Sequence, residues 1–498
     1  MKLSKTNYLI YQDCGKNAWL KIHKPEVYKS QPLSEFEMMI IETGNDVDTL
    51  ARGLFPNGVL VEDRDDTELT KSLIEKKTPV IYQPVFETEK FKMISDIFVW
   101  NSEVGAYDVY EVKASNSGEN KKAKDEIYSN DLAFQYVVLK ENNIPINKLY
   151  LVRLNKEYIR AGDIDLNGLL TKEDFTDKVN GIIDAVSSDM DSAFGVLSQT
   201  EEPHGECKCI TRGRSSHCTT FKYSNPDVSD YSIHDIARIG LSKKKLEDLV
   251  DMNLEKFSIL EVPEDFELSD IQKNQVQVAQ IDKKLIDKNA ISEFLETIKY
   301  PISFLDYETF PSAIPRFSGY GPFNQIPFQF SLHIASEESI EPAHSEFIFS
   351  ESTKPDIEFI EALQKQLPKT GSIIVWNKSF EMGINNKLVE RNPEYKDFLE
   401  NLNSKVVDLE DVFKKQMYVH KGFKGKTSIK FVLPTLSDLS YKELGIQNGA
   451  VASDTWNKIV TDQYSETDKQ TQIQDLLKYC KLDTYAMYAI WKHLLSVI

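Results

Sequence analysis

From Tyr300 onward the chain alternates between short apolar runs and amphipathic stretches, and this alternation restricts the possible fold more than any other feature. Ile302-Ser303-Phe304-Leu305 reads as a buried strand. Ser372 to Trp376 reads as a second strand leading directly into a helix, and a long amphipathic helix from about Asp468 to Leu495 closes the chain. Strands alternating with helices predict an α/β domain over residues 295–498. Residues 1–225 form another region with a strand-rich middle. There Pro79 to Val85, Met93 to Trp100 and Tyr107 to Lys113 read as strands, followed by an amphipathic helix from Glu126 to Lys140 and the strand Leu149 to Val152. Residues 226–294 look helical and charged. Ile233 to Ile239, the turn Gly240-Leu241 and Lys243 to Val250 fit a structural connector, or a helix-hairpin that grips a phosphate backbone.

A chain of 498 residues is long enough for two to four domains. No apolar stretch approaches the roughly 18 residues of a membrane span, and the first residues do not resemble a signal peptide. The expected location is therefore cytoplasmic, without membrane attachment. A net charge of −19 argues against indiscriminate coating of nucleic acid, though not against local basic contacts. One such stretch runs from Lys414 to Lys430, with six lysines, His420, Tyr418 and Phe423 and no acid. Lys421, Lys424, Lys426 and Lys430 are its candidate nucleic-acid contacts. In a reducing compartment the five cysteines are not expected to pair as disulfides. Cys14 stands alone, Cys207, Cys209 and Cys218 lie close together, and Cys480 lies far downstream, which calls for a ligand at the first four.

The sharpest chemical signal is a set of four acids on separate C-terminal elements. Asp306 and Glu308, two apart on a strand, project from one side. Asn377 is placed to cap the helix after the Ser372–Trp376 strand, with Glu381 in its first turn. On the last helix Tyr479 and Asp483, four apart, share a face. Carboxylates suit hard Mg²⁺ or Mn²⁺, and two such ions serve phosphodiester hydrolysis well.

In order, these segments resemble the D-x-E, N-x-x-F-D and Y-x-x-x-D motifs of the DEDD exonucleases, with Glu381 where aspartate is usual. The resemblance implies an RNase-H-like fold, metal ligation by Asp306, Glu308, Glu381 and Asp483, and a water-orienting role for Tyr479. Pro315-Arg316-Phe317, Ile326 to His333, Ser428 to Pro434 and Tyr479 to Thr484 also resemble a bacterial family of unknown function that carries this domain at its C-terminus.

In the N-terminal region, Asp96 precedes Glu111-Val112-Lys113 by fifteen residues on strand-like stretches. This resembles the PD-(D/E)xK nuclease core. The likeness implies Asp96 and Glu111 as metal ligands, Lys113 as a catalytic lysine and Gln135 as the motif glutamine of RecB-type enzymes, with Leu139 where tyrosine is expected. Asp48 stands where those enzymes carry a metal-binding histidine. One cysteine before the core and three after it resembles the RecB/AddB-like and CRISPR-associated iron–sulfur nucleases. There Cys14, Cys207, Cys209 and Cys218 would hold a 4Fe–4S cluster that staples the two ends of the domain. The spacing C-x-C-x8-C departs from the usual one, and His204 and His217 leave zinc as an alternative.

The combined expectation is an iron–sulfur PD-(D/E)xK module, a helical connector and a DEDD 3′→5′ exonuclease module acting on single-stranded or end-exposed DNA, in repair or defence. No G-x4-GK[ST] motif is present, so a helicase partner would supply unwinding. Two other expectations fit the same residues: a nucleic-acid-binding adaptor with a degenerate N-terminal site, and an RNA-processing exonuclease.

Overall fold

The computed structural model describes residues 1–29, 35–116, 121–205, 207–337 and 341–498. The protein is a mixed α/β chain with several sheets. It divides into two compact units: Met1–Ile210, His217–Pro226 and Ser312–Asn324 form the first, and Thr211–Ser216, Asp227–Pro311 and Gln325–Ile498 the second.

The first unit is built on a six-stranded sheet in the order β1 (Val59–Leu60), β2 (Val80–Tyr82), β3 (Ile97–Asn101), β4 (Ala106–Asn116), β5 (Ile146–Leu154), β6 (Leu170–Asp174). Strands β4 and β5 run parallel, with Glu111 beside Leu151, and the other central pairs are antiparallel. A parallel pair needs a long crossover, and α4 (Lys121–Glu141) supplies it; α1 (Lys5–Asp13), α2 (Gly15–His23) and α3 (Glu35–Ala51) precede the sheet and α5 (Ile183–Leu197) follows it. Period-2 alternation sends Val109, Leu149 and Leu151 into a core with Leu132, Phe134 and Val138 of α4. The intervening Tyr110, Val112 and Val152 join Val47 and Ala51 of α3 in a second core. Glu111 and Lys113 share the side of Val109, so the strand aims both toward α4. Two expected strands are each broken. Gln83, at φ +51°, separates Val80–Tyr82 from Val85–Glu87, and Phe91–Ile94 ends before Ile97–Asn101 begins. In both places the halves pair in different sheets, which continuous apolar runs could not reveal.

The second unit carries a five-stranded sheet in the order β9 (Ala343–Ile348), β8 (Asn324–Ala335), β7 (Ile302–Ser312), β10 (Ser372–Val375), β11 (Val406–Asp408). Strand β7 is central and parallel to β10, which is parallel to β11. Its odd residues Leu305 and Tyr307 enter a core with Ile384 and Leu388 of α8 (Lys378–Arg391). On the other face, Phe304 packs against Tyr488 and Trp491 of α11 (Glu466–Val497). Trp456 of α10 (Gly449–Val460) stacks on Phe328 and donates its indole N–H to the Phe349 carbonyl at 2.7 Å.

Asp227–Pro311, which takes in nearly all of the stretch expected to be a helical connector over 226–294, groups with the second unit. It has its own small core from Ile233, Ile239, Leu246, Leu249 and Val276. The reading of Ile233 to Ile239 as an α-helix is corrected. Two 3-10 turns, Ile233–Asp235 and Ile239–Leu241, lead into α6 (Lys243–Asp251), and α7 (Asp270–Gln280) follows. Arg238, at φ +56°, interrupts the helical path.

Gly371, just ahead of β10, has φ +88°, and a Cβ there would lie 1.9 Å from the Pro301 carbonyl oxygen. Gly371→Ala is therefore expected to lower stability by about 3 kcal/mol or more. An unchanged denaturant midpoint would mean that β7 and β10 do not begin locked together. No helix among the described residues is long and apolar enough to cross a membrane.

Candidate active sites and cysteine centre

In the second unit, the even face of β7 presents Asp306 and Glu308 toward α11. One carboxylate oxygen from each lies within 4.8 Å of the other and of Cys480 Sγ. Asp483 is held by the Tyr441 hydroxyl, which donates to its Oδ1 at 2.6 Å. Glu381 is buried, and its Oε2 has no hydrogen-bond partner among the described residues. Removal from water, followed by repulsion from Asp483, raises the Asp306 carboxyl well above its usual range. Glu308 is raised by burial and by Asp306 and Asp483, and Glu381 by burial and by Asp306. Asp483 is pushed up to about 6 by burial, moderated by the Tyr441 hydrogen bond and by Lys430. Asp306 thus feels Asp483, Glu308 feels Asp306, Asp483 and Glu381, and Glu381 feels Asp306.

Tyr479, buried beside them, has its phenol raised by burial and by Asp483, so it stays protonated. Lys430 donates to the Gln447 carbonyl at 3.1 Å, and its ammonium stands 5.5 Å from the Tyr479 ring centroid and 5.7 Å from that of Tyr441. Lys430 is on α9 (Ile429–Leu436). The expected cap at Asn377 is corrected: its side chain makes no cap hydrogen bond, and its backbone is left-handed. Asp408 of β11 caps α8 instead, accepting from the Asn377 and Lys378 N–H groups at 3.0 and 3.2 Å. In the lysine stretch, Lys421, Lys424 and Lys426 are exposed and Lys430 is half-buried. Lys421 pairs with Asp282, Lys424 stands over the Tyr231 ring, Lys426 over Phe431, and Lys430 belongs to the acid cluster.

In the first unit, Gln135 of α4 donates to Glu111 Oε2 at 2.6 Å and to Asp131 Oδ1 at 3.1 Å. Lys113 reaches Glu111 at 2.6 Å and Asp131 at 2.7 Å. Lys5 of α1 lies 2.9 Å from Glu111 and 3.1 Å from Asp131. Two ammonium groups and an amide therefore close around two buried carboxylates. Burial disfavours the charged forms of both lysines, but Asp131 and Glu111 outweigh it and hold them above the usual range. Asp96 accepts the Val112 N–H at 2.7 Å and is pushed up to about 8 by burial and by Glu111. Asp48 contributes to that field, while its own Oδ2 is taken by Arg52 at 2.5 Å and Gln83 at 3.1 Å.

Cys14, at the junction of α1 and α2, meets Cys207, Cys209 and Cys218; all four sulfurs lie within 4.8 Å of one another. Cys14 Sγ is 3.1 Å from Cys207 Sγ, which is 3.3 Å from Cys218 Sγ. His204 and His217 are outside this group; the His217 ring stacks on Phe221.

Sequence reasoning missed Lys5, Asp131, Tyr441 and Asp408. Only Asp131 carried a local signal, one helical turn before Gln135. Cys480, buried on α11, lies against Asp306 Oδ2 at 3.6 Å.

Residues 303–428 match a domain of unknown function, DUF2779. The chain is 26% identical over 223 residues to the uncharacterized protein MG366 homolog of Mycoplasma pneumoniae, covering 41% of this chain and 33% of that one. It is 26% identical over 293 residues to the uncharacterized protein UU173 of Ureaplasma parvum serovar 3, covering 54% and 40% respectively. The chain thus spans well under half the length of these curated relatives.

Proposed function

We propose that this chain is a metal-dependent nuclease that hydrolyses phosphodiester bonds of DNA, with the acid cluster of the second unit as a 3′→5′ exonuclease site. The carrying observation is that carboxylate oxygens of Asp306 and Glu308 lie within 4.8 Å of each other, near enough to Asp483 and Glu381 for their charges to interact, with Lys430 as the offsetting ammonium for Asp306, Glu308 and Asp483. Buried carboxylates without partners are costly, and the unpartnered Glu381 Oε2 leaves a donor atom for a cation. An all-oxygen set suits Mg²⁺ or Mn²⁺. Cys480 is raised by burial and by the neighbouring acids, so it remains a neutral thiol beside the set. The four acids would hold the ions, which supply an activated water and charge stabilisation at the leaving oxygen. Tyr479, protonated, orients water by hydrogen bonding; Tyr441 fixes Asp483; Lys430 limits the repulsion among the acids.

The first unit offers a second nuclease centre of different character. Asp96, Glu111, Lys113 and Gln135 match the PD-(D/E)xK roles, but Glu111 is already satisfied by Lys5, Lys113 and Gln135. A divalent ion there must displace an ion pair, which favours a weak or degenerate site that grips DNA. The four thiolates fit a metal centre. Their spread compares with the ~3.8 Å edge of a tetrahedron with Zn–S of about 2.3 Å, and an iron–sulfur cluster would require the sulfurs to part further. Either group would join Cys14 to the 207–218 segment.

The test uses protein purified without oxygen, Mn²⁺, and internally labelled DNA with free or blocked 3′ ends. A ladder of shortened products that vanishes on blocking the 3′ end supports the exonuclease reading; no cleavage of DNA or of a matching RNA would overturn it. Lys113→Ala, which leaves Glu111 and Asp131 with Lys5 as their one remaining ammonium beside the Gln135 amide, is expected to destabilise the first unit by about 3 kcal/mol. It should leave the 3′-end ladder intact; loss of any cutting of end-blocked DNA in this variant would assign that activity to the first unit.

A further inference from the structure

A cavity of about 410 Å³ lies in the second unit, apart from the four acids, and the proposed chemistry does not use it. Its walls come from the turn at Ala237-Arg238, from α7, and from the segment between Glu410 and Ser428. Arg238, Lys414 and Lys426 bring three cations to it. Glu410 also lines it, but that carboxylate is spoken for: Lys414 lies 2.6 Å from it, and the Thr427 hydroxyl donates to it at 2.5 Å. Arg238 and Lys426 are exposed to solvent. The lining is therefore net positive on a chain of net charge −19.

The two banks are tied by one buried side chain. Gln275 Oε1 accepts the Ala237 N–H at 2.7 Å, and its Nε2 donates to the Asp235 carbonyl at 2.9 Å. Gly425, at φ +71°, stands against the same amide; a Cβ there would come within 2.4 Å of Gln275 Oε1. The lysine loop and the Arg238 turn are thus held face to face. Ser428 lines the cavity, and two residues on, Lys430 stands over Tyr479 in the acid cluster.

We infer that this cavity is a phosphate subsite for the sugar–phosphate backbone of a single strand whose end reaches the acid cluster, an inference that rests on the nuclease reading. Phe413, Tyr418 and Phe423 also line the cavity, but they are buried almost completely and leave little ring face for base stacking. Recognition is then by charge along the backbone and indifferent to sequence. The charged stretch that holds Arg238 and α7, first read as a connector, becomes one bank of the substrate path.

The test is fluorescence anisotropy of a labelled short oligothymidylate against the full chain, in an Asp306→Asn background that prevents turnover. Adding Arg238→Ala and Lys426→Ala is expected to weaken Kd about tenfold and to flatten the salt slope by about 1.4, from roughly 0.7 per cation lost. Lys387→Ala with Lys396→Ala, two exposed lysines elsewhere on the unit, serves as the control. A cavity variant that binds like the control, with the same salt slope, overturns the inference. Because binding is read without cleavage, failure of the nuclease reading would appear separately, as a wild-type chain that degrades no strand.

Discussion

Asp306→Asn is expected to abolish degradation from the 3′ end, by about a thousandfold or more, and at the same time to raise the melting temperature of the metal-free protein. The two effects have one cause. Asp306, Glu308 and Glu381 have carboxyls raised above their unfolded values by burial and by neighbouring acids, and Asp483 by burial. A raised carboxyl binds its proton more tightly in the folded state, so stability falls as pH rises from the unfolded value near 4 toward the folded one. For Asp483 that window ends at about 6. The metal-free protein should therefore melt higher at pH 5 than at pH 7, and Mn²⁺ should reverse the difference by favouring the ionised forms. In Asp306→Asn both the pH dependence and the Mn²⁺ stabilisation should shrink. Thermal melts at the two pH values, with and without Mn²⁺, read this directly. A wild-type melting temperature that ignores Mn²⁺ would remove the basis for metal at this site.

Cys207→Ser is expected to have the largest effect on stability. In the proposed metal centre the four thiolates would join residue 14, between α1 and α2, to a segment nearly two hundred positions away, and a structural metal contributes its binding energy to folding. Cys207 is buried and within hydrogen-bonding range of both Cys14 and Cys218. Losing one ligand should release the metal and lower the melting temperature of the first unit by on the order of 10 °C. Metal analysis and the absorption spectrum of anaerobically purified protein separate the candidates: broad visible absorbance with iron and sulfide marks a cluster, and stoichiometric zinc without colour marks a single ion. If Cys207→Ser retains wild-type stability and the protein carries neither metal, the four sulfurs are only a packed group.

What the sequence determined by itself was local and periodic. Two-residue spacing set Asp306 with Glu308, and Glu111 with Lys113, on common strand faces; four-residue spacing set Tyr479 with Asp483. Those relations follow from strand and helix geometry, so they survive whatever the rest of the chain does. The mixed α/β architecture was legible for the same reason. Tertiary structure alone decided how each group of charges is balanced. Lys5 reaches Glu111 across 106 positions, and Tyr441 reaches Asp483 across 42. Asp408 rather than Asn377 caps α8, and Asp227–Pro311 groups with the second unit. No periodicity encodes such pairings, because they depend on which elements the cores bring together. They leave the first unit's carboxylates neutralised by lysines and the second unit's carboxylates in want of a cation.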